Sequence, residues 1–320
     1  MNQSTKPIRT SIGGQALIEG IMMNGPFKTV AAVRKPDGTI EQKELPKPTI
    51  TRSKVMKIPL LRGIFSFVSS MKLGYGALMY SAEVSGEELD EPEGKLDQWL
   101  ERHFGDNIVR VAAGIGMVLG VALAVVLFMW LPAFLYNLLL SSLAHGTIWR
   151  SVFEGVFRLL ILLGSMLAVS QLKDIRRVFS YHGAEHKTIF CYEHGLELTV
   201  ENVRPFRRFH PRCGTSFLVL MLLIGIVIGM FIRTPNPLLR TVIRLLLLPV
   251  TMGIGYELIK FCGRHDNLLT RIIAAPGMWV QRITTKEPDD SMIEVAIAAL
   301  QAVIPENGED RICTKEGCQP

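Results

Sequence analysis

The chain has 320 residues, is 48% hydrophobic with a mean hydropathy of +0.28, and still carries a net charge of +6. A soluble enzyme seldom combines these values, whereas a multi-pass membrane protein with basic cytoplasmic parts does so naturally. The lysines and arginines flank apolar runs and form no dense tract, which argues against a nucleic-acid partner.

No short apolar region before a cleavage site follows Met1, so no secretory signal is expected. Residues 12–45 read as a small β-rich unit. Gly13-Gly14 opens it, and Val30-Ala31-Ala32-Val33-Arg34 leads through Pro36-Asp37-Gly38 into Thr39-Ile40-Glu41-Gln42, a hairpin signature. Gly13-Gly14 lacks the Gly-Lys-Ser/Thr of a phosphate loop, and close backbone packing explains it better. Glu19 lies in the apolar stretch Ala16–Met22, where an unpaired carboxylate is costly to bury. A salt bridge to Arg62, to a lysine or to the 173–213 loop is therefore expected. In 54–82, Lys54, Lys57, Arg62 and Lys72 interrupt an apolar and aromatic stretch too often for a comfortable span. An interfacial helix fits better, with a packed or re-entrant helix as the competitor. Residues 83–93 are acidic, and 96–104 suggest a short helix.

Four membrane spans are predicted, at 111–131, 152–172, 214–232 and 241–259, each about long enough to cross a hydrocarbon core of about 30 Å. Pro132 follows the first, and 133–143 read as a short apolar segment at the outer interface. Glu154 and Arg158 are positioned to pair i,i+4. The last span is the weakest, with Pro249 in its middle. Arg244 and Glu257 lie near its ends, where snorkelling is expected. The 173–213 loop holds eight lysines and arginines, whereas the opposing loops hold Arg150 alone and Arg233 with Arg240. This bias places that loop and both termini in the cytoplasm of a cell-membrane protein. Beyond the spans, 268–283 read as a second interfacial element around Pro276. Ser291 and Glu294 then suggest a capping box, and Ile293, Ile297, Leu300 and Ile304 a helical stripe ended by Pro305.

The chemistry concentrates in the 173–213 loop. In Tyr181-His182-Gly183-Ala184-Glu185-His186-Lys187, a helix places His182 and His186 on one face with Glu185 beside them. This is the H-x-x-E-H spacing with which some zinc hydrolases hold an ion and carry a general base. His210 and Cys213 in His210-Pro211-Arg212-Cys213 are the obvious further ligands, and a soft thiolate favours zinc. Glu185 is the candidate catalytic residue, as a general base for water activated by the ion, with ligation or orientation of a histidine as alternatives. The opposing explanation is a hydrogen-bonded helix terminus without an ion. Cys191 and His194 are weaker ligand candidates, Cys191 being the kind of lone cysteine that is usually buried. Cys313 and Cys318 are read as neither metal ligands nor a redox pair. Five cysteines in all, sparse and on segments assigned to the cytoplasm, argue against a disulfide framework.

Several stretches are similar to known blocks. Gly13-Gly14-Gln15-Ala16-Leu17-Ile18-Glu19-Gly20-Ile21-Met22-Met23, Tyr181-His182-Gly183-Ala184-Glu185-His186-Lys187, His210-Pro211-Arg212-Cys213-Gly214-Thr215-Ser216-Phe217 and Gln281-Arg282-Ile283-Thr284-Thr285-Lys286-Glu287-Pro288-Asp289-Asp290 resemble the signature blocks of a bacterial membrane family of unknown function. The resemblance runs from residue 12 to about 300. It implies a multi-pass membrane protein and brings no reaction, substrate or catalytic residue.

The expected fold is mainly α, a polytopic helical membrane protein with a small α+β cytoplasmic part. The N-terminal cytoplasmic region covers 1–108, the four-helix membrane region 109–260 and the C-terminal helices and tail 261–320. The leading functional reading is a divalent-ion site, zinc or iron, at the cytoplasmic membrane face, hydrolysing a lipid-borne or membrane-embedded substrate. The alternatives are a non-enzymatic scaffold or regulator, with a lipid or membrane-protein partner, and a small transporter.

Overall fold

The computed structural model describes residues 8–47, 58–86, 108–140, 146–265 and 267–311. The expected helix at 96–104 and the cysteines Cys313 and Cys318 lie outside the described residues. Among those described, the chain is mainly helical with one small sheet, and it divides into two compact units.

The first unit comprises 1–86, 163–224 and 249–320. Its sheet is an antiparallel meander of β1 (Gly13–Leu17), β2 (Gly20–Asn24), β3 (Thr29–Arg34) and β4 (Ile40–Leu45), in that spatial order. The expected hairpin is β3–β4. Gly38 sits at φ 86°, a left-handed conformation that glycine adopts without a Cβ penalty, and Asp37 Oδ1 accepts from the Thr39 amide at 2.8 Å. Alternation along the strands sends Ile21, Met23, Val30 and Ala32 to one face and Met22, Ala31 and Val33 to the other. Both sets are buried, because both faces are covered.

Helix α1 (Leu61–Val84) covers the second face with Ala77 and Tyr80. It is a packed helix, and it is not among those long and apolar enough to cross a membrane. A Cβ on Gly63 would come within 3.1 Å of the Gly253 Cα, so small residues bring backbones together here. Arg62 reaches Glu257 through two nitrogens, Nε to Oε1 at 2.5 Å being one of the contacts. Glu257 is therefore paired, contrary to the expected snorkelling, because a cation on a neighbouring helix lies within reach.

The first face of the sheet is covered by two later helices, Lys173–Glu193 and Asp290–Gln301. To reach them, the chain runs through α2 (Ile108–Val125), a π-helical turn (Val126–Trp130), α3 (Leu131–Leu139), α4 (Thr147–Val169), α5 (Lys173–Glu193), α6 (Val200–Val203), α7 (Gly214–Gly229), α8 (Pro237–Arg264), α9 (Leu268–Thr284) and α10 (Asp290–Gln301). Tyr181 and Ala184 of α5 join Met292, Ile293, Ala296 and Leu300 of α10 in one core with the sheet. Asp289, not Ser291, caps α10 by accepting from the Met292 amide at 3.0 Å. Two neighbouring residues could each cap, and the one whose backbone is extended does so. Glu19 pairs with Arg177, one contact being Nη2 to Oε2 at 2.6 Å, and accepts from the Tyr181 hydroxyl at 3.1 Å. The expected salt bridge thus goes to α5 of the 173–213 segment, and it fixes a two-residue β-turn in which Glu19 holds φ 48°.

Gly183 is where α5 approaches the segment after α9 most closely. A Cβ there would lie 2.1 Å from the Lys286 carbonyl oxygen, whereas one on Gly76 of α1 would meet nothing within 4 Å. Gly183→Ala is expected to lower stability by about 1–3 kcal/mol through forced backbone movement, and Gly76→Ala to raise it by about 0.5–1 kcal/mol through helix propensity. Thermal unfolding of the two purified variants checks this; equal midpoints would refute the packing.

The second unit comprises 87–162 and 225–248. Among the described residues, three helices are long and apolar enough to cross a membrane, over Gly114–Leu139, Ile148–Val169 and Pro237–Cys262. The segment expected as a further span forms α7, Gly214–Gly229, a shorter apolar helix of 16 residues. At 1.5 Å per residue that is about 24 Å, less than a full hydrocarbon core. The first long helix also continues past Pro132, where the sequence suggested a break. Proline lacks the N–H that would serve the Phe128 carbonyl in a regular helix. The chain adopts a π turn there, and Arg158 Nε donates to the Phe128 oxygen at 2.7 Å.

Arg244 does not snorkel. It is buried and donates to Glu154, which is fully buried and also accepts from Arg150 Nε at 2.9 Å and Arg240 Nε at 3.0 Å. The expected Glu154–Arg158 pair is present at 3.6 Å.

Candidate metal centre

Helix α5 carries His182, Glu185 and His186, and residues 183–191 are buried because sheet, α10 and the 284–288 segment surround it. His182 and His186, one turn apart, have ring centroids 4.4 Å from each other. The chain returns through Arg208, Phe209 and His210 to bring Cys213 up to them, just before α7 begins. His182 Nε2 lies 3.1 Å from Cys213 Sγ. The ligand atoms of His182, His186 and Cys213 all lie within 4.8 Å of one another.

The far nitrogen of each ring is anchored. His182 Nδ1 lies 2.9 Å from the Thr284 carbonyl oxygen, and His186 Nδ1 lies 2.5 Å from that of Arg208. A carbonyl only accepts, so each Nδ1 carries a proton, and Nε2 is the ring nitrogen left to act as a ligand beside the cysteine sulfur. Metal-ligating histidines are oriented in this way. His186 Nε2 and Glu185 Oε2 are buried with no hydrogen-bond partner among the described residues.

Glu185 sits against β1. A Cβ on Gly14 would lie 2.8 Å from the Glu185 carboxyl carbon, so only glycine admits the carboxylate, and the Gly14 amide donates to it. Burial pushes the Glu185 carboxyl up to about 7, and Cys213 adds to the rise, while His182 and the Gly14 amide oppose it. Burial lowers His186. For Cys213, burial raises the thiol, but the nearness of His186 and the Thr215 hydroxyl and amide outweigh it, leaving a net fall. Two imidazoles beside a thiol held below its ordinary pKa form a donor set suited to a divalent cation.

His210 is near but differently engaged. Its ring centroid is 5.6 Å from that of His186, its Nε2 lies 3.7 Å from Glu193, and its Nδ1 accepts from the Arg212 amide at 3.3 Å. Gln281 clasps its backbone, accepting from its amide at 2.7 Å and donating to its carbonyl at 2.8 Å. Glu193 also binds Arg212 and accepts from the Thr10 amide at 2.8 Å. The sequence reading missed this frame of Glu193, Arg212 and Gln281. Its traces in the sequence are the blocks that contain Arg212 and Gln281, which carry a resemblance but no role. Cys191 and His194 lie outside the cluster. Cys191 is buried with Sγ 3.6 Å from the Glu197 carbonyl, and burial raises its thiol to about 11; His194 Nδ1 faces the Phe190 carbonyl at 2.7 Å.

Glu185, His186, His210 and Cys213 share a cavity of ≈ 360 Å³ with Thr10, Gly14 and Ser70. Such a volume falls in the range of small-molecule sites.

A helical chain with membrane-length apolar helices and a largely buried His-His-Cys cluster under a small sheet is thus the class that fold and site define. The chain belongs to the family described as protein of unknown function (DUF1385), whose model matches residues 58–306. It is 35% identical over 303 residues to the uncharacterized protein YqhQ of Bacillus subtilis (strain 168), with 94% of each chain covered. No solved structure matches.

Proposed function

We propose that His182, His186 and Cys213 hold a divalent ion, zinc or iron, and that the centre serves hydrolysis of a membrane-associated substrate. The observation that carries this is the convergence of two Nε2 atoms and one Sγ within 4.8 Å, with both Nδ1 atoms held by backbone carbonyls. Tetrahedral zinc with nitrogen and sulfur ligands keeps its donors about 3.3–3.8 Å apart, so small side-chain adjustments suffice. The thiolate favours zinc. Three protein donors leave a further coordination position open, as in catalytic rather than purely structural sites. When bound, the ion supplies Lewis-acid polarisation and lowers the pKa of water.

Glu185 accepts the proton of the attacking water at Oε2, the oxygen without a partner, while the Gly14 amide holds the carboxylate in place. The cavity beside the cluster gives substrate its place. His210 belongs to the cavity wall, oriented by Glu193 and Gln281. A membrane-associated substrate is favoured by the three membrane-length helices and by Cys213 directly preceding apolar α7.

Metal analysis of the purified full-length protein tests this. Wild type and Glu185→Gln should each carry about one ion per chain, and His182→Ala, His186→Ala and Cys213→Ser should fall several-fold. Equal, negligible metal in all five proteins would end the proposal. In cells, Glu185→Gln should abolish function; full function there would assign the centre to a scaffold whose ion only orders the fold.

The basic 173–213 loop supports a cytoplasmic location for the centre and for both termini of a cell-membrane protein. A cysteine introduced at position 145 should react with an impermeant maleimide on intact cells, and one at 195 should not. The opposite pattern would invert the orientation.

A further inference from the structure

The second unit contains a polar cluster that the proposed hydrolysis does not use. Glu154 of α4 is wholly buried and is approached by four guanidiniums, those of Arg150 and Arg158 on its own helix and of Arg240 and Arg244 on α8. No other Asp or Glu occurs among the described residues of this unit, so four cations face one carboxylate. All four arginines are at most 8% exposed.

The backbone absorbs part of this excess. Arg240 donates to the Gly229 carbonyl at 3.1 Å and to the Ser151 hydroxyl at 2.9 Å, Arg150 to the Pro235 carbonyl at 3.0 Å, and Arg158 to Phe128. Carbonyl dipoles carry no net charge, and arginine stays protonated even when buried. An excess of three positive charges remains among apolar helices. Four buried nitrogens also have no hydrogen-bond partner among the described residues: Arg150 Nη2, Arg158 Nη2, and Arg244 Nε and Nη1. Buried donors are rarely left unmade, and intramembrane charges that are not neutralised mark ligand or ion sites.

We infer that this cluster binds a phosphoryl group. The spare donors sit on three different guanidiniums, so a matching anion needs several oxygens, which a phosphoryl group offers and a halide does not. The excess of three also exceeds what one carboxylate neutralises. The group can arrive as a lipid headgroup, since Trp149, Val156 and Leu160 on the same helix are exposed and apolar, or as free inorganic phosphate. This inference does not depend on the metal centre.

Two binding arms separate the sources, both on the full-length chain. In detergent, inorganic phosphate is titrated against chloride at equal ionic strength while thermal unfolding is followed. In nanodiscs of the phosphate-free lipid diglucosyldiacylglycerol, the same measurement is made with and without phosphatidic acid. Saturable stabilisation in the first arm assigns free phosphate, and stabilisation in the second alone assigns a lipid headgroup. In the responding arm, Arg158→Gln and Arg244→Gln should each weaken binding at least about tenfold. Glu154→Gln should respond more strongly than wild type, since it removes the competing carboxylate. If Arg244→Gln does not fold, Arg158→Gln decides, because its contact with Glu154 is the long one, at 3.6 Å, and the carboxylate keeps its other three arginines. No response in either arm, or arginine variants that respond like wild type, would overturn the inference.

Discussion

Stripping the ion from wild-type protein with a strong chelator is expected to lower its thermal midpoint by about 5–10 °C, and His186→Ala should show no chelator effect at all. The argument is linkage: an ion that binds the folded chain and not the unfolded one stabilises by about 2.7 kcal/mol at a hundredfold excess over its dissociation constant. For a chain of 150–250 cooperative residues, each kcal/mol moves the midpoint by about 2–4 °C. The ligands come from α5 and from a loop more than twenty residues later, so an ion at their junction closes a loop that hydrogen bonds otherwise hold. Readdition of zinc should restore the wild-type midpoint and leave His186→Ala unmoved. A wild-type midpoint indifferent to chelation, in protein shown to have carried metal beforehand, would mean that the ion lies elsewhere. Cys213→Ser should give a smaller chelator effect than wild type, because serine offers a weak donor in place of a thiolate.

Much of the centre was legible because helical spacing is local information. An i,i+4 pair of histidines shares a face wherever a helix forms, and the hairpin turn at Pro36-Asp37-Gly38 is equally local. The long apolar runs announced helices of membrane length for the same reason. What the sequence could not carry is the set of partners that lack a letter of their own. The Thr284 and Arg208 carbonyls that orient the two imidazoles are backbone groups, identical in every residue. His210 was indistinguishable from a ligand until Glu193 and Gln281, far along the chain, were seen to hold it. Pro132 read as a helix end because the donor that relieves its missing hydrogen bond, Arg158, comes from another helix. The 16-residue length of α7 depended on where its ends stop being helical, which apolarity alone does not fix.

The sequence pairs Glu154 with Arg158 at i,i+4, and the structure makes it the hub of four arginines, so the largest single-residue loss of stability is expected there. Replacing it with leucine leaves Arg240 wholly buried and three neighbouring guanidiniums nearly so, with no opposing carboxylate. Breaking a buried pair by removing one partner typically costs about 3–5 kcal/mol, chiefly through the uncompensated charge left behind. Here more than one cation is stranded, so Glu154→Leu should reach the upper end of that range or fail to accumulate. Glu154→Gln keeps the volume and two polar atoms and should fall between leucine and wild type. The mechanism predicts strong non-additivity. Adding Arg244→Leu to Glu154→Leu removes one stranded cation, so the double variant should unfold at a higher temperature than the sum of the single losses implies. Unfolding in one mild detergent, with the four proteins compared as a cycle, measures this coupling. A Glu154→Leu loss within about 1 kcal/mol of wild type, in the range of an exposed pair, would show that the carboxylate is not the charge that holds these arginines together.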